Sequence, residues 1–172
     1  MSHVLFVCTG NAARSVMAGA MFRDLAPGWG VTTAGTHVVE GQPMSWRTKE
    51  ALGRLGFAAE GHRSRQVGPR ELAAADLVVA FEIWHVAHLR RVHPEWADQT
   101  ATIRRWVRDL PAWDDRPAGW AERAAPLQLA TVELEAWEDV EDPAGGDVER
   151  VTECAREVLE LTTALAARLG PG

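Results

Sequence analysis

The chain has 172 residues, 47% hydrophobic and 24% charged, which is the length and apolar content of one domain running over residues 1–172. Its formal charge of −6 offers no general positive field to nucleic acid or an anionic membrane, so phosphate chemistry would need a local cationic site. The two cysteines, Cys8 and Cys154, make neither a disulfide framework nor a cysteine-based zinc site.

The run Val4-Leu5-Phe6-Val7 is too short for a signal peptide or a spanning helix, and leads us to expect a cytoplasmic protein, monomeric by default. It reads as a buried strand, and Cys8-Thr9-Gly10-Asn11 follows it as a tight loop. Ala18, Met21, Phe22 and Leu25 then recur at helical spacing up to Pro27-Gly28. A second strand is predicted near Val31 to Ala34, with a helix over Ser45 to Leu55 that stops at Gly56. Leu77-Val78-Val79-Ala80 is a third strand, preceded by a short alanine-rich helix and followed by a helix from Ile83 to Val92. A fourth strand is predicted from Thr102 to Val107. Residues 109–137 carry no clear period. The last helix is capped by Asp147 and shows Val151, Cys154, Ala155, Val158, Thr162, Leu165 and Leu169 on one face. Strands apolar on both faces, alternating with helices, define an α/β fold: a doubly wound parallel sheet with helices on both sides.

Cys8 falls at the carboxyl end of the first strand, where ligands gather in such sheets. Five residues separate it from Arg14, and two of them, Gly10 and Asn11, are the types that best accept positive φ in an anion-binding nest. Inward backbone N–H groups and a helix N-terminus beginning near Arg14 would together hold a phosphate dianion. The same field favours a thiolate, so Cys8 is expected to be a nucleophile. The planar fork of Arg14 can hold two phosphoryl oxygens and follow them through the transition state. An acid must protonate the departing oxygen, and the sole Asp-Pro pair, Asp142-Pro143, is the candidate. Glu138, Asp139 and Glu141 precede it, so like charge is expected to crowd this acid. The cluster also reads as a plain solvated acidic loop, and spacing alone does not choose between the two.

The run Cys8-Thr9-Gly10-Asn11-Ala12-Ala13-Arg14-Ser15 resembles the phosphate loop of the low-molecular-weight protein-tyrosine-phosphatase family, which also takes in related arsenate reductases and protein arginine phosphatases. The resemblance continues through Met17-Ala18, Phe22-Arg23, Thr33-Ala34-Gly35-Thr36, His62-Arg63-Ser64-Arg65-Gln66, Ala75-Asp76-Leu77 and Val140-Glu141-Asp142-Pro143, leaving out about 109–137. It implies a four-stranded sheet, with Cys8 as nucleophile, Arg14 as phosphate clamp and Asp142 as general acid and then base. Thr9, Gly10, Asn11, Ala12, Ala13, Arg14 and Ser15 would line the phosphate. Asn11, Ser15, Thr33 and His62 would hydrogen-bond among themselves to hold the loop, with Ser15 donating to Cys8. Neither a metal nor a cofactor is implied.

There are departures as well. Ala13 stands where the family often has a second cysteine, Val16 where it has proline, and Gly19 where it has glutamate. Ala144-Gly145 replaces an aromatic pair, the loop His37-Val38-Val39-Glu40 lacks an aromatic expected there, and the chain has no tyrosine. Phe81, Trp84 or a tryptophan of the unassigned segment are the candidates to line the pocket mouth instead.

The expected activity is phosphomonoester hydrolysis through a cysteinyl phosphate, with a phosphorylated protein or a small aryl phosphate as substrate. The alternatives are an arsenate reductase using an external thiol, a protein arginine phosphatase suggested by Thr9 and Ala12, or a non-catalytic phosphate-binding module. His85 and His88 have metal-ligand spacing but no third ligand, and read as surface residues. Cys154 reads as a buried structural thiol. The eight tryptophans read mostly as core, with Trp113, Trp120 and Trp137 grouped in the unassigned segment.

Overall fold

The computed structural model describes residues 2–113 and 120–171. Four strands form one all-parallel sheet in the order β2-β1-β3-β4: β1 His3–Cys8, β2 Gly30–Gly35, β3 Leu77–Ala80 and β4 Thr100–Thr102. Between and after them run α1 Arg14–Leu25, α2 Trp46–Arg54, α3 Pro69–Ala73, α4 Ile83–Val92, α5 Ile103–Asp109, α6 Trp120–Ala124 and α7 Val148–Leu169.

The two-residue period of β1 explains why helices cover both faces. Val4, Phe6 and Cys8 point into the larger core with residues of α1, α2, α5 and α7, while Leu5 and Val7 join Leu72 and Leu89 of α3 and α4 on the other side. Cys8 therefore leaves the sheet on the α1 side. Arg14 to Phe22 of α1 are all buried, so this helix is enclosed rather than amphipathic. Leu25, expected on its apolar face, is 37% exposed because it falls in the last turn.

Side-chain caps set several helix starts. Ser45 Oγ accepts from Thr48 N at 3.1 Å, and Asp147 Oδ1 accepts from Arg150 N at 2.9 Å. The seven residues expected on the inner face of α7 are the buried ones, together with Thr152. The fourth strand differs from expectation. It spans Thr100–Thr102 and gives way at once to α5, because Thr102 Oγ1 accepts from Arg105 N at 3.2 Å and caps a helix over the residues where a strand from Thr102 to Val107 was expected.

The segment around 109–137 lies partly outside the described residues, at 114–119. What precedes and follows is held largely by arginines. Arg90 donates to the carbonyls of Leu129 and Val132, Arg105 to the carbonyl of Glu133, and Arg168 to that of Leu110. Trp120 packs partly buried against the core, while Trp137 lies beneath the Arg108 guanidinium at 3.7 Å.

Candidate active site

The residues between β1 and α1 form a ring whose carbonyls are tied from outside. Thr36 N donates to Cys8 O and His37 N to Thr9 O, both at 2.9 Å, extending the β1–β2 pairing past the sheet. His62 Nε2 bonds Asn11 O at 2.8 Å, Thr48 Oγ1 donates to Ala12 O at 2.9 Å, and Met17 N donates to Ala13 O at 2.8 Å. No backbone N–H of residues 9–13 has a donor bond of its own among the described residues. Of these residues Asn11 is buried and the rest are half-buried, and unpaired amides opposite tethered carbonyls are suited to form an anion cup.

Within the ring, Asn11 alone takes the left-handed conformation, at φ 50°. Gly10 does not, so its expected conformational role is absent. The close approach belongs instead to Gly35 at the end of β2, where a Cβ would lie 2.5 Å from Thr9 O and 2.8 Å from Asn11 N. Asn11 holds the ring by its whole amide: Nδ2 donates to Ser15 Oγ at 2.9 Å and Thr33 Oγ1 at 3.0 Å, and Oδ1 accepts from Arg65 N at 3.0 Å. His62 reaches the backbone oxygen of Asn11 rather than its side chain. A carbonyl can only accept, so Nε2 carries the proton, and burial favours the neutral ring by lowering its pKa.

Cys8 Sγ and Ser15 Oγ lie 3.0 Å apart. Arg14, 1% exposed, is gripped through Nη1 by Glu82 Oε2 at 2.8 Å and Val140 O at 2.7 Å, while Nη2 lies 3.1 Å from Asp142 Oδ2. Its Nε is buried without a hydrogen-bond partner. One guanidinium edge is thus fixed by protein, and the other carries a free donor next to Nη2.

Asp142 is not crowded by unpaired like charge. Glu138 pairs with Arg105, Asp139 Oδ1 accepts from Ile83 N at 2.7 Å, and Glu141 pairs with Arg150. Each neighbouring carboxylate has its own partner, and Arg14 is the cation facing Asp142. Gly145 beyond it takes φ 80°.

Three residues of this site escaped the sequence reading. Glu82 lies two residues past β3, at the same sheet edge as Cys8, and that position was the available signal. Thr48 closes the ring from α2. His85 was read as a surface residue but is fully buried; its Nε2 lies 3.0 Å from Thr9 Oγ1 and its Nδ1 accepts from Glu82 N at 3.1 Å. Burial, then the nearby Arg14 charge, lowers its pKa to about 3. Phe81 is core, with no exposure, and does not line a mouth. Cys154 is buried, with its thiol pushed up to about 12 by desolvation. Cavity size does not mark this site: spaces of about 410 and 470 Å³ lie elsewhere, and neither includes Cys8, Arg14 or Asp142. Among the described residues no group of His, Cys, Asp or Glu is placed to hold a metal ion.

A parallel α/β sheet with a cysteine beneath an amide cup, closed by a buried arginine and facing a carboxylate, defines a cysteine-based phosphohydrolase. Residues 3–115 match the family described as low molecular weight phosphotyrosine protein phosphatase. A protein-arginine-phosphatase of Geobacillus stearothermophilus is 32% identical over 168 residues, 96% of this chain and 95% of that protein. A low molecular weight protein-tyrosine-phosphatase of Streptomyces coelicolor is 32% identical over 95% of this chain and 91% of its own length. The crystal structure of a low molecular weight protein tyrosine phosphatase from T. tengcongensis superimposes with a TM-score of 0.76 at 31% identity, covering 96% of this chain and 97% of that one. The chain belongs to the low-molecular-weight protein-tyrosine-phosphatase family and is a cysteine-dependent phosphomonoester hydrolase of that type.

Proposed function

We propose that Cys8, Arg14 and Asp142 carry the reaction, with residues Thr9 to Ser15 holding the phosphoryl group and Asn11, Ser15, Thr33 and His62 holding the loop. The observation that carries this reading is the pairing of a ring of free amides with the free Nε edge of a buried Arg14. Together these are donors for the equatorial oxygens of a phosphoryl group.

Cys8 Sγ bonds to phosphorus while the phosphorus–oxygen bond to the leaving group breaks, and Asp142 passes its proton to that oxygen. An incoming phosphate dianion competes with Asp142 for Arg14, so a complex that arrives with one proton on the carboxyl is favoured electrostatically. Water then attacks phosphorus, Asp142 takes its proton, and the sulfur–phosphorus bond breaks to release inorganic phosphate. The Ser15 hydroxyl, donating to Sγ, stabilises sulfur as the leaving group of this second step.

The substrate class is a phosphorylated protein, with phosphotyrosine as the leading residue. Protein phosphoarginine is the second reading, favoured by the full-length similarity to a relative named for that activity. We further place the enzyme in the cytoplasm as a monomer of one domain over residues 1–172. No helix among the described residues is long and apolar enough to cross a membrane.

Steady-state hydrolysis of an aryl phosphate tests the assignment. Cys8→Ser is expected to abolish turnover while still binding inorganic phosphate, and Asp142→Ala to lower kcat about a hundredfold or more. An Asp142→Ala enzyme as fast as wild type would show that the acid lies elsewhere. Parallel assays with a phosphoarginine peptide, and with arsenate plus a thiol, separate the remaining substrates.

A further inference from the structure

The chain after α2 doubles back along that helix. Gly56 takes φ 82° at the helix end and Phe57 N donates to Leu52 O at 3.0 Å, so residues 57–63 return beside α2 and leave a cavity of about 410 Å³. Met44, Leu52 and Phe57 give it apolar walls, and its size falls within the roughly 300–1,000 Å³ of ligand pockets. Gly53 lines it as well, and a Cβ there would meet nothing within 4 Å. Glycine inside a helix is destabilising relative to alanine, so this space stays open against helix propensity.

Two cations share the lining, Lys49 of α2 and Arg63 of the returning segment, against one acid, Glu60. Arg54 on the same helix is taken by Glu50 and Glu149, but among the described residues Arg47, Lys49, Arg63 and Arg65 are paired with no carboxylate. Arg47 lies over the ring of Trp46 at 5.3 Å, and Trp46 is 65% exposed. Glu40, on the loop beside Arg65, is engaged by Gln66 N at 2.7 Å. A chain of formal charge −6 thus carries a locally positive face here. The same two segments hold the phosphate loop. Thr48, next to Lys49, donates to Ala12 O, and His62, itself in the cavity lining, bonds Asn11 O. After burial, the charges of Arg65, Arg23 and Arg63 hold the His62 pKa down, so this positive field reaches a support of the loop.

Taking the substrate to be a phosphorylated protein, as proposed above, we infer that this cavity is a docking pocket for it: an acidic segment of the substrate lays its carboxylates along Arg47, Lys49, Arg63 and Arg65 and sets one large apolar side chain between Met44, Leu52 and Phe57. The four cations extend along two segments beyond the cavity itself, which suits a peptide chain with several carboxylates better than one small anion. An exposed tryptophan with an arginine over it is the kind of anchor that protein interfaces use. Because Thr48 and His62 touch the loop directly, a segment seated here holds its phosphorylated residue beside the cup and acts chiefly on KM.

The test begins with binding, which needs no turnover. A fluorescently labelled, unphosphorylated peptide of glutamates around one leucine is titrated by anisotropy with wild type, with Lys49→Glu combined with Arg63→Glu, and with Gly53→Leu, which fills the cavity. Wild type is expected to bind it, more weakly as salt rises, and both variants to bind about tenfold less tightly. Steady-state kinetics then compare phosphotyrosine peptides carrying that acidic flank or its glutamine counterpart, with a small aryl phosphate as the measure of the cup. Wild type is expected to favour the acidic peptide about tenfold in kcat/KM, and the variants to lose that preference while staying within about twofold on aryl phosphate. Equal affinity of all three proteins for the labelled peptide, or an unchanged preference in the variants, would overturn the docking pocket and leave the cup standing. Tighter binding to vesicles of anionic phospholipid than to the peptide would also overturn it, by assigning the positive face to a membrane. A failure of the cup shows itself separately, as aryl phosphate turnover persisting in Cys8→Ser.

Discussion

His85 shows how much one side chain can decide. Its pKa is lowered to about 3 by burial and by Arg14, against roughly 6.5 in the unfolded chain. The folded protein therefore refuses a proton that the unfolded chain accepts between those values, so the stability this ring contributes is complete above about pH 6.5 and declines as the pH falls toward 3. Over that window the loss is at most about 1.4 kcal/mol per pH unit. His85→Asn, which cannot titrate, is expected to flatten the fall in urea-unfolding free energy between pH 7 and pH 4. Identical slopes for the two proteins would mean that His85 is not held neutral. No residue near His85 in the sequence announces its burial. The i, i+3 histidine pair reads as a solvated helix edge until the parallel pairing of β1 with β3 brings Thr9 against it, while Glu82 meets His85 locally as the cap of α4.

The contact between α1 and β2 turns on Gly19, where the family has glutamate. A Cβ there would lie 2.4 Å from Thr33 Cγ2, and Thr33 is the residue whose hydroxyl accepts from Asn11. Replacing a helical glycine by alanine on an open face stabilises by up to about 1 kcal/mol. Gly53 of α2 has nothing within 4 Å of such a Cβ, and Gly53→Ala should follow that rule. Gly19→Ala should instead destabilise by roughly 1–3 kcal/mol through overpacking, and lower kcat/KM by loosening Asn11. Thermal unfolding of the two variants side by side checks this. A stabilised Gly19→Ala protein would mean that α1 has room to shift. Helical spacing correctly marked Ala18, Met21 and Phe22, but it could not show that the glycine face of the same helix abuts a strand.

Across the whole molecule, the segment that presents Asp142 is secured from a distance. Arg105 of α5 reaches Glu138, Asp109 and the Glu133 carbonyl, and Thr102 Oγ1 donates to Glu138 at 2.8 Å. Glu138 has no exposed surface. Desolvation raises its pKa, but the bonds from Arg105, Glu135 N and Thr102 outweigh it and hold the carboxyl below its ordinary value. Its contribution is therefore present at neutral pH and lost as the medium is acidified through that lowered value. Breaking one partner leaves a buried charge uncompensated, so Arg105→Ala and Glu138→Ala should each cost roughly 3–5 kcal/mol, while the paired replacement Arg105→Met with Glu138→Leu should recover much of the loss. Urea unfolding of the four proteins measures this. Strict additivity would show that the pair is not coupled. The single replacements should also reduce kcat for aryl phosphate, because Val140 and Asp142 both contact Arg14 a few residues downstream.

Local chemistry determined a good deal without any coordinates. The all-apolar strand ending at Cys8, the Gly-Asn bend, the caps Ser45 and Asp147 and the stripe on α7 depend on neighbours within a few positions, and these were readable. The partners of Arg14 were not: Glu82, Val140 and Asp142 lie 68 to 128 positions away (82 − 14 and 142 − 14), and periodicity carries no information over that distance. The short fourth strand follows from the local cap that Thr102 places on α5. The burial of His85 was decided as the partners of Arg14 were: it depends on which strand edges and helix ends the parallel sheet brings together, and that is settled by packing rather than by local preference.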